Sequence, residues 1–474
     1  MTRAGVRSRR SKDAGNVEVA VRIRPLLARE RDGSECVEKV DGEPQIVVDG
    51  RRSFTYDYAF EPSSEQEEVY EQCVAPLVGA WFEGYNATVL AYGQTGSGKT
   101  YTMGSAATSI YLEAERGIIP RVISRVFAMI DERSSEGGED GDETGAGAGV
   151  TFEVSVTFIE IYGEDVRDLL TENQSCNAVT VRELDGELVL VGATQLVVKS
   201  GEEMMDALER GSQMRVTAST HMNDTSSRSH AIFSISLSST RVSDGDAVEA
   251  EVTGCTAGVK KGGSEDTEFR SSKFHFVDLA GSERAKRTGA SGVRMREGIN
   301  INKGLLALGN VISSLGDEKK RAAGAHVPYR DSKLTRILQD SLGGNSRTLM
   351  VACVSPADDS MEETLNALKY ANRARNIKNK PVINRDPRSL QLAALRLRIS
   401  QLSADLALHG IAPSVGTLEL ADAAALTTGS RKKRDGVDWQ SRAEQADAML
   451  QRAQTKEAKT KVEMDRVNTE RISA

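Results

Sequence analysis

The pattern of apolar positions predicts an α/β domain. Phe152–Tyr162 alternates between apolar and polar residues, which is typical of a strand with one buried face. Ala87–Tyr92 and Phe274–Val277 are short apolar runs that suit buried strands. Apolar residues recur at helical spacing over Val69–Phe82 and Gly304–Leu315, so we expect each of these segments to bury one helix face.

Two capping-box patterns predict where further helices begin. In each pattern, a serine that can accept a backbone hydrogen bond is followed three residues later by a glutamate. The pairs are Ser200 with Glu203 and Ser360 with Glu363, and they predict helices over residues 201–217 and 361–375.

Two stretches lack the apolar residues that a folded segment needs. Residues 134–149 contain six Gly and five acidic residues but no basic residue, and residues 243–272 are rich in Gly, Ser and charge. Such compositions bury too little apolar surface to offset the entropy lost on ordering. We therefore expect both stretches to be disordered surface insertions without a chemical role.

A phosphate-binding loop is predicted at Gly93–Thr100, which reads Gly-Gln-Thr-Gly-Ser-Gly-Lys-Thr and matches the pattern G-x-x-x-x-G-K-[ST]. It follows the apolar run at 87–92, and a strand is the context that the pattern requires. The glycines let backbone N–H groups close around phosphates. Lys99 is then expected to reach the β- and γ-phosphates, and Thr100 to bind Mg²⁺.

Two later segments carry residues suited to metal binding and γ-phosphate sensing. Asp278–Glu283 reads Asp-Leu-Ala-Gly-Ser-Glu and follows an apolar run, where phosphate-loop enzymes place a Mg²⁺-binding aspartate. The N–H group of Gly281 can reach a γ-phosphate. Asn223–His230 reads Asn-Asp-Thr-Ser-Ser-Arg-Ser-His and is rich in hydroxyl groups. Each segment alone is a weak signal, but all three motifs in this order indicate a nucleotide-driven enzyme.

The composition excludes several other classes of protein. The chain has 474 residues and 39% apolar content, which is enough for a sizeable core. It has no run of 18 apolar residues and no apolar segment near its N-terminus, so no membrane span or secretory signal is expected. Its five cysteines form no C-x-x-C pair, so we expect buried thiols in a reducing compartment rather than a disulfide framework or a metal site.

The charge distribution predicts an acidic partner for one surface. The net charge is −8, yet residues 284–336 hold twelve Lys and Arg against four Asp and Glu. A basic patch on an acidic protein can steer that face toward an acidic partner. Nucleic acid is not indicated, because the aromatic interleaving of single-strand binders is missing. The basic residues are Arg284, Lys286, Arg287, Arg294, Arg296, Lys303, Lys319, Lys320, Arg321, Arg330, Lys333 and Arg336.

These motifs, together with Val21–Pro25 and His326–Arg336, resemble those of the kinesin motor domain over residues 16–388. The sequences of Ala352–Pro356 and Tyr370–Asn384 are most similar to those of the fourth kinesin class, the chromokinesin branch. The resemblance implies an α/β fold of the phosphate-loop NTPase type, with a central, mostly parallel β-sheet flanked by helices. It implies ATP and Mg²⁺ as cofactors and microtubules (tubulin) as the acidic partner.

The resemblance also implies an order of segments. We expect a disordered basic N-terminus over 1–15, a motor domain over 16–375, a neck linker over 376–388, a short coiled coil over 389–409, a linker over 410–437 and a helical stalk fragment over 438–474. The coiled coil would allow a homodimer. It rests on a seam about two heptads long, formed by Leu392, Leu395, Ile399, Leu402 and Leu406.

By resemblance, the reaction is ATP hydrolysis. Thr100 and Ser227 are then ligands of Mg²⁺, and Asp278 supports the metal through water. Ser226 and Gly281 help to place the attacking water and to sense the γ-phosphate. The phosphates are held by the loop, which comprises Gly93, Gln94, Thr95, Gly96, Ser97, Gly98, Lys99 and Thr100.

Pocket closure and base binding are also implied by the resemblance. Arg228 and Glu283 are expected to form an ion pair when ATP is bound. Asn302 is expected to stabilise the water network from the start of the helix that contacts the microtubule. At the base, the motif match places adenine between Pro25 and Tyr101, a stacking contact that reads little of the base identity. The residues expected at the base are Arg24, Pro25 and Tyr101.

The resemblance assigns movement to the segment after the last predicted helix. Residues 376–388 match the neck linker, with Ile377 as the docking anchor and Asn384 as the latch. Pro381 has no N–H group, so a docked linker is expected to lack one backbone hydrogen bond there. By resemblance the twelve basic residues contact the microtubule.

Three functions remain open from the sequence. The first is a plus-end-directed, microtubule-activated ATPase motor in the cytoplasm, on the cytoskeleton, with the spindle or nucleus as further locations. The second is a weakly motile kinesin that regulates microtubule plus-end dynamics. The third is a nucleotide-gated microtubule binder that does not hydrolyse ATP, and the intact Lys99, Ser226, Asp278 and Glu283 argue against it.

Overall fold

The structure, a computed structural model, describes nine stretches of the chain, all in the first of two units. The units are Met1–Leu397 and Arg398–Ala474. The described stretches are 15–30, 33–105, 113–135, 150–171, 178–184, 187–220, 227–243, 266–283 and 293–385. Segments predicted before Gly15 and after Arg385 lie outside them. Among the described helices, none is long and apolar enough to cross a membrane.

The described strands form one large sheet and two small ones. In chain order they are β1 (Glu18–Ile23), β2 (Val37–Lys39), β3 (Gln45–Val48), β4 (Arg52–Thr55), β5 (Tyr58–Phe60), β6 (Ala87–Tyr92), β7 (Val150–Tyr162), β8 (Asp165–Asp168), β9 (Thr180–Leu184), β10 (Glu187–Val191), β11 (Leu196–Val198), β12 (His230–Ser243), β13 (Asp266–Asp278) and β14 (Arg347–Val354). The large sheet has the order β11-β7-β12-β13-β6-β14-β1-β5, with β8 beside β7. Strands β2–β4 and β9–β10 form the small antiparallel sheets.

The large sheet is mixed, and its parallel half surrounds the phosphate loop. β6 pairs in parallel with β13 and β14, β14 pairs in parallel with β1, and β1 pairs in parallel with β5. The long strands β7, β12 and β13 pair antiparallel. The predicted α/β fold with a central sheet is confirmed. Ligands of open α/β sheets bind outside the carboxyl ends of parallel strands. The phosphate loop follows the end of β6, and Asp278 is the last residue of β13.

Helices cover both faces of this sheet. They are α1 (Gln66–Val69), α2 (Ala75–Phe82), α3 (Lys99–Met103), α4 (Ile118–Ser135), α5 (Gly201–Thr220), α6 (Val293–Gly316), α7 (Glu318–Ala322), α8 (Lys333–Ile337) and α9 (Met361–Ala374). A π-helical turn, Tyr70–Val74, joins α1 to α2. Successive side chains of β6 enter different cores, as a strand requires. Val89 belongs to the core with α2, α4 and α5, and Leu90 to the core with α6, α8 and α9.

Most predicted elements are confirmed, but the two insertions are shorter than expected. The strands expected at 87–92, 152–162 and 274–277 lie in β6, β7 and β13, and the helices expected at 69–82, 201–217 and 361–375 lie in α1–α2, α5 and α9. However, β13 already begins at Asp266, where it pairs with Ser243 of β12, so residues 266–272 are strand. The residues at this end of the β12–β13 pair are mostly polar, so they lack the apolar pattern that predicts a strand. Helix α4 likewise includes residues 134–135, and β12 includes Ser243. Residues 136–149 and 244–265 lie outside the described residues.

Helix α6 begins well before the predicted start at Gly304. Its first residue is Val293. Glycine and asparagine are weak helix formers, and Gly298 and Asn300 break the apolar spacing that would have revealed the first turns. The predicted position of Asn302 at the start of the helix is therefore wrong. The predicted residues that lie inside α6 are Arg294, Arg296, Asn302 and Lys303.

Ser200 caps its helix as predicted, although the glutamate of that pair bonds one residue further back, whereas Ser360 does not cap its helix. Ser200 Oγ accepts the Glu203 N–H at 3.2 Å, and the Glu203 carboxylate accepts the Lys199 N–H at 2.7 Å. Ser360 precedes α9 but does not cap it. Its Oγ instead accepts a hydrogen bond from Gln94 Nε2 at 3.0 Å, so it supports the phosphate loop.

Candidate functional site

The phosphate loop has a geometry that requires glycine. Gly93, Gly96 and Gly98 have φ angles of 152°, 75° and 97°. A Cβ atom at Gly93 would lie 2.2 Å from the backbone oxygen of Cys353, so the loop can pack against β14 only without a side chain there. Gly98 directly precedes α3. The segment thus has the strand–loop–helix arrangement that phosphate binding requires.

The ammonium group of Lys99 is buried and held by the loop itself. Nζ donates hydrogen bonds to the backbone oxygens of Gly93 (2.9 Å) and Gln94 (3.0 Å). Burial lowers the pKa of Lys99, and the nearby Asp278 carboxylate opposes that shift. Because an ammonium group has three N–H donors, Lys99 can reach a phosphate oxygen by exchanging these carbonyl partners.

Asp278 joins the end of β13 to the phosphate loop and to α5. Its Oδ2 accepts hydrogen bonds from Thr100 Oγ1 at 2.8 Å and from Arg215 Nη1 at 2.9 Å. Its Oδ1 is buried without a hydrogen-bond partner. A buried oxygen without a donor suits a bound water or cation. The donor set therefore fits a Mg²⁺ ion held at Thr100, with Asp278 acting through water.

Arg215 was not predicted from the sequence. Its side chain is buried and also donates to the backbone oxygen of Ser229 at 3.0 Å. It follows Met204, Leu208 and Ser212 at helical spacing on the buried face of α5. A basic residue at a position where this spacing predicts a buried side chain was the signal that could have identified it. Removing one partner of a buried ion pair leaves an uncompensated charge. Arg215 therefore fixes the orientation of the Asp278 carboxylate.

The segments that follow β13 and precede β12 are joined through Gly281. Its N–H donates to the backbone oxygen of Ser227 at 2.8 Å, which brings the predicted γ-phosphate sensor to a predicted metal ligand.

Glu283 forms hydrogen bonds with the phosphate loop. Its Oε2 accepts a hydrogen bond from the Thr95 N–H at 2.8 Å, and its Oε1 accepts one from Thr95 Oγ1 at 2.5 Å. The ion pair of Glu283 with Arg228 stays a prediction.

At the predicted base site, the Arg24 side chain is already bonded to other groups of the protein. It forms an ion pair with Glu30 at 2.6 Å and donates to a phosphate-loop carbonyl at 2.7 Å. Pro25 and Tyr101 are exposed. The Arg22 guanidinium lies 5.4 Å from the centroid of the Tyr101 ring. Adenine stacking on Tyr101 stays a prediction, and Arg22 is a neighbour of that ring that sequence reasoning missed.

A polar cavity of about 340 Å³ opens beside the phosphate loop. Its size lies at the small end of ligand sites. Both signs of charge line it, so it suits a polar occupant with separated charges. The lining residues are Arg24, Arg29, Glu30, Gln94, Thr95, Glu283, Asp359, Ser360 and Glu363.

Comparison with known proteins identifies the family. Residues 14–377 match the kinesin motor domain model. The chain belongs to the kinesin motor family. It is 52% identical over 400 residues to mouse kinesin-like protein KIF21B, 49% over 420 residues to KIN-4A of Arabidopsis thaliana and 50% over 390 residues to human chromosome-associated kinesin KIF4A. These matches cover 82%, 84% and 81% of the chain but only 24%, 38% and 29% of the relatives.

Solved kinesin structures have the same fold. A structure of a fast kinesin aligns with a TM-score of 0.65 at 36% identity and covers 79% of this chain and 96% of that one. A KIF14 dimer, bound to a microtubule with AMP-PNP, aligns with a TM-score of 0.65 at 39% identity, covering 79% and 97%. The resemblance to the kinesin motor domain, and to chromosome-associated kinesins in particular, is confirmed.

In this kinesin, those of the predicted microtubule-contacting residues that the structure describes lie in α6, α7 and α8 and in the turn before α8, and α6 contacts both α7 and α8. Lys303, Lys319 and Arg330 are exposed, whereas Lys333 and Arg336 are half-buried. Arg330 forms an exposed ion pair with a β9 glutamate at 3.5 Å, which contributes only about 0–1 kcal/mol. Several predicted residues, or their side chains, lie outside the described part: Ser226, Arg284, Lys286, Arg287, Arg294, Arg296, Asn302, Lys320 and Arg321.

The described part of the predicted neck linker, residues 376–385, lies docked on the domain. Ile377 is 0% exposed, and its backbone oxygen accepts the Val17 N–H at 3.0 Å. Asn384 Oδ1 accepts a hydrogen bond from Asn345 Nδ2 at 2.7 Å. Both predicted linker residues are therefore held by the motor domain. Pro381 lies between two residues whose N–H groups both donate to the domain.

Asn379 is a linker residue that sequence reasoning missed. Its buried Nδ2 donates to the backbone oxygens of Ser341 (3.0 Å) and Ser346 (2.7 Å) and to Thr348 Oγ1 (3.1 Å). Its Oδ1 accepts the Gly343 N–H at 2.7 Å. A buried amide with its hydrogen bonds satisfied fixes one register of the linker, because a shift would leave these groups unpaired.

Proposed function

We propose that this chain hydrolyses ATP with Mg²⁺ and uses the reaction to move along microtubules toward their plus ends. One observation carries the proposal: hydrogen bonds join residues of all three motifs. Thr100 of the phosphate loop bonds to Asp278 at 2.8 Å, and Gly281 bonds to Ser227 at 2.8 Å. Residues suited to binding phosphate, holding a metal and sensing the γ-phosphate thus adjoin one another.

The hydrolysis of a phosphoanhydride requires positioning and charge neutralisation more than covalent catalysis. Lys99 would neutralise charge on the β- and γ-phosphates. Thr100 and Ser227 would hold Mg²⁺, with Asp278 acting through water, and Ser226 would help to place the attacking water. When bound, Mg²⁺ supplies further neutralisation of the phosphate oxygens.

ATP binding is proposed to exchange two hydrogen bonds. The Gly281 N–H would leave the Ser227 carbonyl for the γ-phosphate. Glu283 would leave Thr95 and pair with Arg228, which closes the pocket over the attacking water. In each exchange the moving group gains a new partner, and the group that it leaves, the exposed Thr95 or the half-buried Ser227, would bond to water.

Microtubule binding is supported by the charge of the α6–α8 region. The net-negative chain concentrates its predicted contact residues there, and a kinesin relative has been solved on a microtubule. We propose association with the microtubule cytoskeleton, in the cytoplasm and at the spindle, and a homodimer formed through residues C-terminal to the linker.

Phosphate release measured with and without microtubules tests the ATPase. The proposal predicts slow release by the chain alone and strong stimulation by microtubules. Tight nucleotide-dependent binding without phosphate release would favour the non-hydrolysing binder. The growth rate of dynamic microtubules tests the second candidate, a weakly motile regulator of microtubule plus ends. Suppressed growth without movement would support that end regulator.

A further inference from the structure

His230 ends the hydroxyl-rich 223–230 segment and has no role in the site described so far. It is the first residue of β12 and is 2% exposed. Its Nδ1 accepts a hydrogen bond from the Ala280 N–H at 3.0 Å. Ala280 is 0% exposed, so water cannot easily replace the imidazole as acceptor.

Two consecutive N–H groups therefore connect the sensor segment to residues 227–230. The Gly281 N–H bonds to the Ser227 carbonyl at 2.8 Å, and the Ala280 N–H bonds to His230. Under the proposed function, the first bond must exchange for the γ-phosphate. The second needs no exchange, because its acceptor is a side chain fixed on a strand that pairs with Ile161 of β7.

We propose that His230 is a positioning residue for the γ-phosphate sensor. Its Nδ1 holds the Leu279–Ala280 peptide still while the Gly281 N–H moves between the Ser227 carbonyl and the γ-phosphate. This inference rests on the proposed function.

The other ring nitrogen of His230 lies against α6. A Cβ atom added at Gly304 would be 3.6 Å from His230 Nε2, an ordinary contact distance. The imidazole therefore spans the space between the sensor segment and the helix predicted to contact the microtubule.

A matched pair of variants isolates the acceptor. His230→Asn and His230→Leu introduce side chains of similar branched shape, and both leave similar space where the ring was. Only asparagine carries an oxygen near the position of Nδ1 that can accept the Ala280 N–H. The measurement is the affinity of the full chain for ADP and for AMP-PNP, which differ in the γ-phosphate.

We expect His230→Leu to bind ADP as the wild type does but to lose about tenfold of its preference for AMP-PNP, equivalent to about 1.4 kcal/mol. His230→Asn should retain most of that preference. An equal loss of preference in both variants, or in neither, would overturn the inference. Equal weakening of both nucleotides by leucine would also overturn it, because it would indicate a general structural role.

Hydrogen exchange in the wild type keeps the inference testable if the leucine variant does not fold. The Ala280 amide should be equally protected with ADP and with AMP-PNP, and loss of protection with AMP-PNP would contradict a fixed attachment. Failure of the ATPase itself is distinguishable, since it would appear in wild-type phosphate release rather than in the nucleotide preference of the variants.

Discussion

At the scale of single residues, the site consists of buried and partly exposed polar groups that bond to one another and can exchange partners. Lys99 bonds to carbonyl groups of its own loop, Glu283 bonds to Thr95, and the Gly281 N–H bonds to Ser227. Each of these partners can be replaced by a phosphate oxygen or by a second protein group. The cost of exchange depends on the groups left behind, and Thr95 is exposed, so its N–H and hydroxyl groups can bond to water.

Lys99→Ala should abolish ATP turnover, because no other lysine lies in the phosphate loop to replace its charge. The measurement is microtubule-stimulated phosphate release. The control is Lys199→Ala, which removes an exposed lysine before α5 and should leave turnover unchanged. Normal turnover in Lys99→Ala would contradict the assignment of the phosphate site.

Glu283→Ala should bind ATP but not hydrolyse it, and should remain tightly bound to microtubules. The carboxylate contacts Thr95 in this structure and is proposed to close the pocket with Arg228. The measurements are ATP-analogue affinity, turnover and cosedimentation with microtubules. Glu202→Ala, an exposed glutamate on α5, serves as the control. Wild-type turnover in Glu283→Ala would rule out pocket closure by this residue.

At the scale of elements, the linker is docked by separate backbone hydrogen bonds and a few specific side chains rather than by a continuous strand ladder. Ile377 supplies the apolar anchor, and Asn379, Asn345 and Asn384 supply side-chain hydrogen bonds. This arrangement tolerates Pro381, since the missing N–H group lies between two residues that are still bonded. Single substitutions of these residues are therefore expected to weaken docking.

Ile377→Ala should retain microtubule-stimulated ATPase but slow filament gliding. Truncating a buried isoleucine costs about 2–5 kcal/mol, and only about 1.4 kcal/mol changes the docked fraction tenfold. Val382→Ala is the matched control in the same linker, because Val382 is 56% exposed. Undiminished gliding by Ile377→Ala would indicate that residues 376–388 are a passive tether.

Replacing Lys319, Lys320 and Arg321 of α7 with alanine should weaken microtubule affinity without changing basal ATPase. Exposed charges act over a Debye length of about 8 Å at physiological salt, so wild-type affinity should fall steeply with salt and the triple variant's affinity less steeply. The control replaces Arg51 and Arg52, two exposed basic residues at the start of β4, with alanine. Equal salt dependence of the wild type and the triple variant would exclude α7 as a contact.

At the scale of the whole molecule, one apolar core connects the nucleotide side of the sheet to the linker. Residues of α6, α9 and Ile377 belong to the same core. Tyr92, the last residue of β6 before the phosphate loop, stacks on Tyr370 of α9 with ring centroids 4.2 Å apart. Close-packed interiors transmit displacements. A change at the phosphate loop can therefore reach the linker through α9 as well as through α6.

The sequence predicted what is local and missed what depends on packing. The phosphate loop and the buried strands before it could be predicted, because each motif determines its own backbone. Arg215 and Asn379 could not, because their partners are distant in sequence and come together only in the folded sheet. The early turns of α6 were missed because Gly298 and Asn300 disguise a helix that tertiary packing stabilises.

A gliding assay with polarity-marked microtubules on the surface-attached full chain tests whether the chain is a plus-end-directed motor. We expect ATP-dependent movement with the minus ends of the filaments leading, because a plus-end-directed motor pushes filaments in that direction. We also expect Lys99→Ala to stop this movement. Filaments that bind but stay stationary in ATP, while the chain alters the growth of free microtubule ends, would contradict the motor and favour the end regulator.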